Sequence, residues 1–287
     1  MVKAAIDATR HSARAAPRPG DIETRQIGAI HQRLDRAAGI EIEEHFDMER
    51  RPLNTPGRRG DRYRTSAPAL VRIVPFALFI AVLALRGLFS AGDASMPGVD
   101  LRWLYGVQVL AALVPMLLWH RAYRELGVGR LSAHGLLSSI VVGTGIFLLW
   151  IAPAAPWMEL GRPQTSFVPE EAGGSLRWDL VAVRCAGAVL IVPVMEELFW
   201  RSFLLRWIDR RDFLVVAPGA TSWFSIAATS AVFALAHTLW LAGLVAGLSY
   251  ALVYRRLGNL WYAVLAHATT NLLLAIWVID RRAWSYW

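Results

Sequence analysis

Long apolar runs separated by short charged loops fill residues 67–287, and they most constrain what the chain can fold into. A bilayer core about 30 Å thick needs roughly 20 residues of helix at 1.5 Å each, and most of the runs reach that length. Strands of an outer-membrane barrel would instead be about ten residues long and alternate in polarity. We therefore predict an all-α, polytopic transmembrane helical bundle. The predicted spans cover residues 68–89, 103–119, 135–156, 179–207, 223–240, 241–254 and 259–278.

The predicted bundle has seven to eight helices. The run 241–254 is short, so residues 223–254 form either two spans or one span and a re-entrant hairpin. An eighth helix could lie in the loop 157–179 or within 241–254.

The composition agrees with a membrane protein. Hydrophobic residues make up 55% of the chain and charged residues only 18%, whereas soluble domains carry about 25% charged residues. The single cysteine, Cys185, excludes an internal disulfide and a four-cysteine metal site. The net charge of +8 comes without a Gly-rich phosphate loop or a basic zipper, so we expect no nucleic-acid partner.

Residues 1–66 differ from the rest and form a separate region. They contain no Trp, and Arg50–Arg64 is rich in Arg, Pro and Gly without a sustained apolar period. We predict a polar, disordered cytoplasmic arm, which could include a short amphipathic helix near 27–46, followed by a transmembrane domain over 67–287. Met48 could start translation, in which case residues 1–47 would be absent. No signal peptide is predicted, because the first long apolar run begins near Ala67.

Arginines cluster in alternate loops, which predicts an orientation by the positive-inside rule. With the N-terminus in the cytoplasm, the loop 157–179 falls outside and the chain crosses the membrane seven times. We expect a multi-pass protein of the cell's inner (plasma) membrane. The arginine-rich inner segments are Arg58–Arg64, Arg121–Arg130, Arg206–Arg211 and Arg255–Arg256.

Ionisable residues inside the spans are candidate functional residues, because a charge at bilayer depth costs several kcal/mol. Glu197 and Arg201 are four residues apart on one helix face, so we expect them to pair and to support helix packing. Glu196 points about 100° away without such a partner, which suits a general base. The spans contain Arg184, which can snorkel to the membrane surface, and Glu196, Glu197, Arg201, His237 and His267.

Polar side chains on three helices reach similar depths. Glu196 lies about 13 Å and His267 about 12 Å from the predicted cytoplasmic ends of their helices, at 1.5 Å per residue. Asn271, one turn after His267, and His237 both come out at roughly 18 Å or slightly more. A hydrogen-bonded core histidine or a helix-packing pair remains the structural alternative for each. Their common depth favours one shared site.

Three short motifs occur in order along the chain. They are EExxxR at Glu196, Glu197 and Arg201, FxxxH at Phe233 and His237, and HxxxN at His267 and Asn271. Together they resemble the motifs of the CAAX-prenyl-protease-type intramembrane proteases, the Abi or CPBP family, which includes the type II CAAX prenyl endopeptidases. The resemblance covers about residues 180–275, with Ser202 where the family often has Gly. The N-terminal half is similar to a bacterial subgroup associated with exosortase and PEP-CTERM sorting.

The resemblance implies a role for each motif residue. Glu196 and His237 would activate a water molecule, His267 and Asn271 would donate hydrogen bonds to an oxyanion, and Glu197 and Arg201 would hold the helices together. The family has also been described as metalloproteases, and Glu196, His237 and His267 could then ligate zinc. We favour a metal-independent glutamate mechanism, because the chain has no H-E-x-x-H helix.

The expected function is intramembrane hydrolysis of a peptide bond near the C-terminus of a membrane-tethered or lipid-modified protein. The expected partners are membrane lipid and a membrane-associated protein or peptide substrate. The alternatives are a non-catalytic membrane scaffold or bacteriocin-immunity-type protein, and a proton-coupled transporter. Transporters tend to carry internal repeats, and we find none here.

Overall fold

A computed structural model describes residues 59–91, 100–127, 129, 131–152, 154–161 and 167–287. This part of the chain is almost entirely helical, and its only β-type pairing is an isolated bridge between Glu170 and Leu176. The all-α prediction is confirmed. The helices are α1 (Arg59–Ala91), α2 (Leu104–Leu118), α3 (Ala133–Trp150), α4 (Trp178–Asp209), α5 (Trp223–Leu235), α6 (Trp240–Leu257) and α7 (Leu260–Arg281).

The helix bounds match most of the predicted spans, but α1 begins nine residues earlier than predicted, and α3 and α5 end six and five residues earlier. Five segments are long and apolar enough to cross a membrane. Residues 223–254, for which a re-entrant hairpin was an alternative, form two helices: α5, of only 13 residues, and α6, of 18. Within the described parts of the loop after α3, the helical structure is the single turn Pro156–Met158. The described residues therefore contain the seven helices given above and no eighth. The crossing segments are Ala67–Gly87, Leu101–Leu118, Ala133–Trp150, Trp178–Asp209 and Leu260–Arg281.

The N-terminal arm lies largely outside the described residues. Residues 1–58, including the amphipathic helix expected near 27–46 and Met48, are not described, so those predictions stay predictions. The first helix begins at Arg59, ahead of the composition change at residue 66.

Side-chain caps and one glycine fix where several helices begin and end. Ser132 and Ser222 cap α3 and α5 by accepting hydrogen bonds from the N–H groups of Gly135 and Ser225. Asn259 caps α7 in the same manner. Gly258 ends α6 with φ of 71°, a left-handed conformation that favours glycine.

The fourth helix is not a regular α-helix throughout. Two π-helical segments, Gly187–Ile191 and Leu198–Leu204, interrupt it and enclose the α-helical turn Val192–Glu197. A π segment leaves some backbone carbonyls without their usual partner, and such segments occur frequently at functional sites. Glu196 and Glu197 lie in the turn between the two.

Small residues allow α3 and α7 to approach closely. A Cβ atom added at Gly143 would collide with the carbonyl oxygen of Ala266 and the side chain of Thr269. The Gly143 carbonyl also accepts a hydrogen bond of 2.9 Å from the Thr270 hydroxyl. Close backbone contact and interhelical hydrogen bonds are typical of helix packing in membranes.

We predict that Gly143→Ala destabilises the bundle by about 1–3 kcal/mol, because the added methyl group forces the two helices apart. Gly145→Ala is the matched control on the same helix, since a Cβ there meets no atom within 4 Å. The control should be neutral or slightly stabilising, because alanine favours helix. Thermal unfolding in detergent, followed by tryptophan fluorescence, measures both. Equal melting temperatures for the two variants would contradict the close approach.

Candidate active site

One internal cavity gathers the four side chains for which the sequence predicted a shared site. The cavity has a volume of about 260 Å³. Its polar lining includes Glu196 from α4, His237 from the turn after α5, and His267 and Asn271 from α7. Much of the remaining wall is apolar, with Phe79 and Leu83 from α1 among the contributors.

Glu196 is the acidic residue that lines this cavity. Its side chain is half-buried, and no described residue donates a hydrogen bond to its carboxylate. The Glu196 carboxylate and the His237 ring line the same cavity. A carboxylate that accepts no hydrogen bond from the described residues is available to a water molecule or a substrate.

His237 is oriented by its own backbone. Its Nδ1 lies 2.7 Å from the carbonyl oxygen of Phe233, which can only accept, so Nδ1 carries the hydrogen. The ring packs edge-on against Trp150 and against the Phe233 ring, with centroids 5.4 and 4.5 Å away. Nε2 is therefore the nitrogen left for chemistry, and in the neutral ring it is a hydrogen-bond acceptor.

His267 is held by Glu197 and Tyr250. Its Nδ1 lies 3.0 Å from Oε1 of Glu197, and its ring stacks on the Tyr250 ring at 5.1 Å. The Tyr250 hydroxyl donates to Thr270 Oγ1 at 2.7 Å, which fixes the tyrosine in turn. As in His237, Nδ1 already has a hydrogen-bond partner, and Nε2 is the ring nitrogen that remains for an interaction with water or substrate.

Glu197 is the most enclosed charge in the site. Its side chain is 0% exposed and lies 3.1 Å from Arg201, with Nη1 donating to Oε1 and Nε close to Oε2 without hydrogen-bond alignment. Arg201 also donates to the carbonyl of Gly247 on α6 at 3.1 Å. The i,i+4 pair expected from the sequence is present. Glu197 does more than pair with Arg201, because it also contacts His267.

Asn271 spans from α7 to the first π segment of α4. Its Nδ2 donates a hydrogen bond of 2.8 Å to the carbonyl of Ala188. That carbonyl lies in Gly187–Ile191, where the π geometry changes the backbone pairing. One amide N–H is thus used in fixing the helices, and no hydrogen bond to a described residue uses the second.

Two contributors were not singled out from the sequence. Tyr250 is fully buried behind His267, and Thr270 joins it to α3 through Gly143. Each is a polar group within an apolar helix, and Thr270 directly precedes Asn271. A polar residue in an apolar helix was the sequence signal by which both could have been identified.

A second cavity adjoins the first and shares six lining residues with it: Leu83, Trp150, Arg184, His237, Tyr286 and Trp287. Its volume is about 740 Å³, and it extends to Glu159 in the loop after α3. Arg184 lies over the ring of Tyr105 at 4.3 Å, which accounts for a guanidinium at this depth. The two cavities together connect His237 to one face of the bundle.

The described residues do not form a ready metal centre. No three His, Cys, Asp or Glu side chains among them come close enough to hold one ion. Glu196, His237 and His267 line one cavity and each histidine keeps Nε2 free, so these would be the ligands if zinc were bound. In the present arrangement they are too dispersed, and we derive no step through a metal.

The comparisons with known proteins point to one family. The family model described as type II CAAX prenyl endopeptidase Rce1-like matches residues 178–273. This third of the chain runs from the start of α4 into α7 and includes all three motifs. The resemblance predicted from the motifs is confirmed over this segment. No curated protein and no solved structure matches the chain.

We predict that the purified full chain retains no stoichiometric zinc, because the described side chains do not gather three ligands. Metal content by mass spectrometry after purification with added Zn²⁺ measures this, and the melting temperature with and without a chelator provides a second readout. One zinc ion per chain that is lost in both His237→Ala and His267→Ala would overturn the expectation.

Proposed function

We propose that the chain is an intramembrane endopeptidase that hydrolyses a peptide bond near the C-terminus of a membrane-tethered or lipid-modified protein. The observation that carries this proposal is that Glu196, whose carboxylate accepts no hydrogen bond from a described residue, lines one cavity with His237, His267 and Asn271. The family resemblance supports a CAAX-type intramembrane protease fold for residues 178–273.

Glu196 and His237 would activate the attacking water. Nε2 of His237 accepts one hydrogen bond from the water, and Glu196 takes the second proton as the oxygen attacks the carbonyl carbon. The C–O bond forms as the carbonyl π electrons move to oxygen. Glu196 then delivers its proton to the leaving nitrogen as the C–N bond breaks, so one water is consumed and two peptide ends result.

Asn271 and His267 would stabilise the oxyanion. Asn271 has one N–H left after bonding Ala188, and the amide is a donor whatever the pH. His267 can donate from Nε2 only when its ring is doubly protonated, since Nδ1–H faces Glu197.

The walls of the cavity suit a substrate that arrives from the membrane. Apolar side chains on α1, α4 and α7 line it, and the larger adjoining cavity gives a route toward one membrane face. An apolar, lipid-bearing segment would bury its surface here, and the adjoining route would admit water. We further propose that the protein resides in the inner membrane with its N-terminus in the cytoplasm, as the arginine distribution favours.

We predict that Glu196→Gln abolishes cleavage while leaving the melting temperature unchanged, because the isostere keeps the volume but cannot accept a proton. Glu197→Gln should instead lower stability by about 3–5 kcal/mol, since Arg201 and His267 both lose a buried anionic partner. Activity should fall with it. Mass-spectrometric mapping of new C-termini in membranes expressing each variant measures cleavage.

Asp280→Asn serves as the control for both glutamates, because Asp280 is exposed and pairs only with Arg281 among the described residues. Loss of cleavage in both glutamate variants with normal melting temperatures would contradict this division of roles. Unchanged cleavage in Glu196→Gln would sink the enzymatic proposal and favour a scaffold.

We predict that Asn271→Ala lowers kcat by roughly 10²–10³-fold, the usual effect of removing one oxyanion donor. KM should change little, because the interaction forms mainly in the transition state. Thr269→Ala is the control, since Thr269 lies on the same helix and bonds only its own backbone. A purely structural role would instead lower the melting temperature and leave kcat of the folded fraction intact.

A further inference from the structure

A third, chemically different cavity lies nearer the N-terminal end of α1 than the candidate active site does. It has a volume of about 800 Å³ and shares no lining residue with the active-site cavity. Along α1, its Arg72 lies seven residues, or about 10 Å, from Phe79 of the active-site cavity. We call it the arginine pocket. Its charged lining consists of Arg72, Arg121, Arg124, Arg206 and Glu125.

The arginine pocket lies where membrane-crossing segments end. The first crossing segment begins at Ala67 and the second ends at Leu118, directly before the turns that carry Arg121 and Arg124. Arg206 is in the last turns of α4. Contacts between Arg72 and Glu125 at 2.7 Å bring these ends together on one face. The pocket is therefore at the boundary between hydrocarbon and water.

The deep part of the pocket is already neutralised. Arg72 is buried and donates to both carboxylate oxygens of Glu125 at 2.7 Å and to the carbonyl of Pro68. Ser202 also hydrogen-bonds Glu125. Burial opposes ionisation of Glu125, but these donors outweigh it and hold its pKa below the usual range. Arg72 and Glu125 thus form a fixed ion pair that contributes no net charge.

The remaining three arginines leave positive charge facing the pocket. Arg206 uses Nε and Nη2 on Ser202, whereas Nη1 makes only a marginal 3.5 Å contact with the Val216 carbonyl. Arg121 and Arg124 are exposed and form no ion pair with any described residue. Four arginines against one carboxylate give the lining a net charge of +3.

The remaining wall of the pocket is apolar, which decides what kind of anion fits. Ala67, Pro68, Val71, Ala122 and Leu214 complete the lining, and Leu70 beside them on α1 is 52% exposed. A free inorganic anion would gain nothing from that wall. A molecule with an anionic head and hydrocarbon chains would satisfy both surfaces at once.

We propose that the arginine pocket binds the phosphate group of an anionic membrane lipid, whose acyl chains lie along α1. Arg121, Arg124 and the weakly bonded Nη1 of Arg206 supply the donors. Arginine suits phosphate, because its planar guanidinium can donate two parallel hydrogen bonds.

The test compares two variants that remove equal charge from one face of the bundle. Arg121→Gln with Arg124→Gln removes the two exposed arginines that line the pocket. Arg210→Gln with Arg256→Gln is the matched control, because both arginines are exposed, unpaired among the described residues and outside the pocket. Native mass spectrometry of the full chain measures retention of phosphatidylglycerol against phosphatidylcholine with identical acyl chains.

The wild-type chain and the control should retain phosphatidylglycerol preferentially. The pocket variant should bind it roughly 30-fold more weakly, at about fivefold for each arginine near the membrane surface. Equal loss in both double variants would reveal nonspecific attraction and overturn the proposal. Displacement of the lipid by millimolar inorganic phosphate, with a matching rise in melting temperature, would assign the pocket to a free anion and overturn it too.

Discussion

A fully buried carboxylate, that of Glu197, fixes the arrangement on which the rest of the site depends. An unpaired ion inside the bundle would cost several kcal/mol, so the helices must bring it partners. Arg201 comes from its own helix and extends to the Gly247 carbonyl on α6, while His267 comes from α7. One anion thereby sets how three helices pack. It also orients the histidine whose other nitrogen faces the cavity.

The imidazole rings of His237 and His267 are oriented in the same way. Each gives its Nδ1 hydrogen to a partner that can only accept, a backbone carbonyl for His237 and a carboxylate for His267. Each therefore presents Nε2. The difference between the partners is chemical: a neutral backbone carbonyl holds His237, whereas the Glu197 carboxylate, itself paired with Arg201, holds His267. Two identical side chains thus acquire different properties from their supports.

The sequence predicted the helices well because apolar length is a direct consequence of bilayer thickness. It also placed Glu196, His237, His267 and Asn271 at similar depths, since rise along a helix is a fixed quantity. It did not predict that Glu197 meets His267, because periodicity gives the face of one helix but not the rotation of its neighbour. The π segments around Val192–Glu197 were equally hidden, since nothing in a hydropathy pattern distinguishes a π turn from an α turn. Hence the bond between Asn271 and Ala188 could not be anticipated.

The short α5 has a consequence for where water meets the membrane. Thirteen residues extend only about 20 Å, whereas the hydrocarbon layer is about 30 Å thick. Either the bilayer thins around this helix, or one end of the helix lies within the hydrocarbon layer. His237 lies two residues beyond the C-terminal end of the helix. Under the proposed mechanism, the thickness of the surrounding lipid would set how far bulk water must travel to reach the His237 ring, so bilayer thickness would be a variable of the reaction.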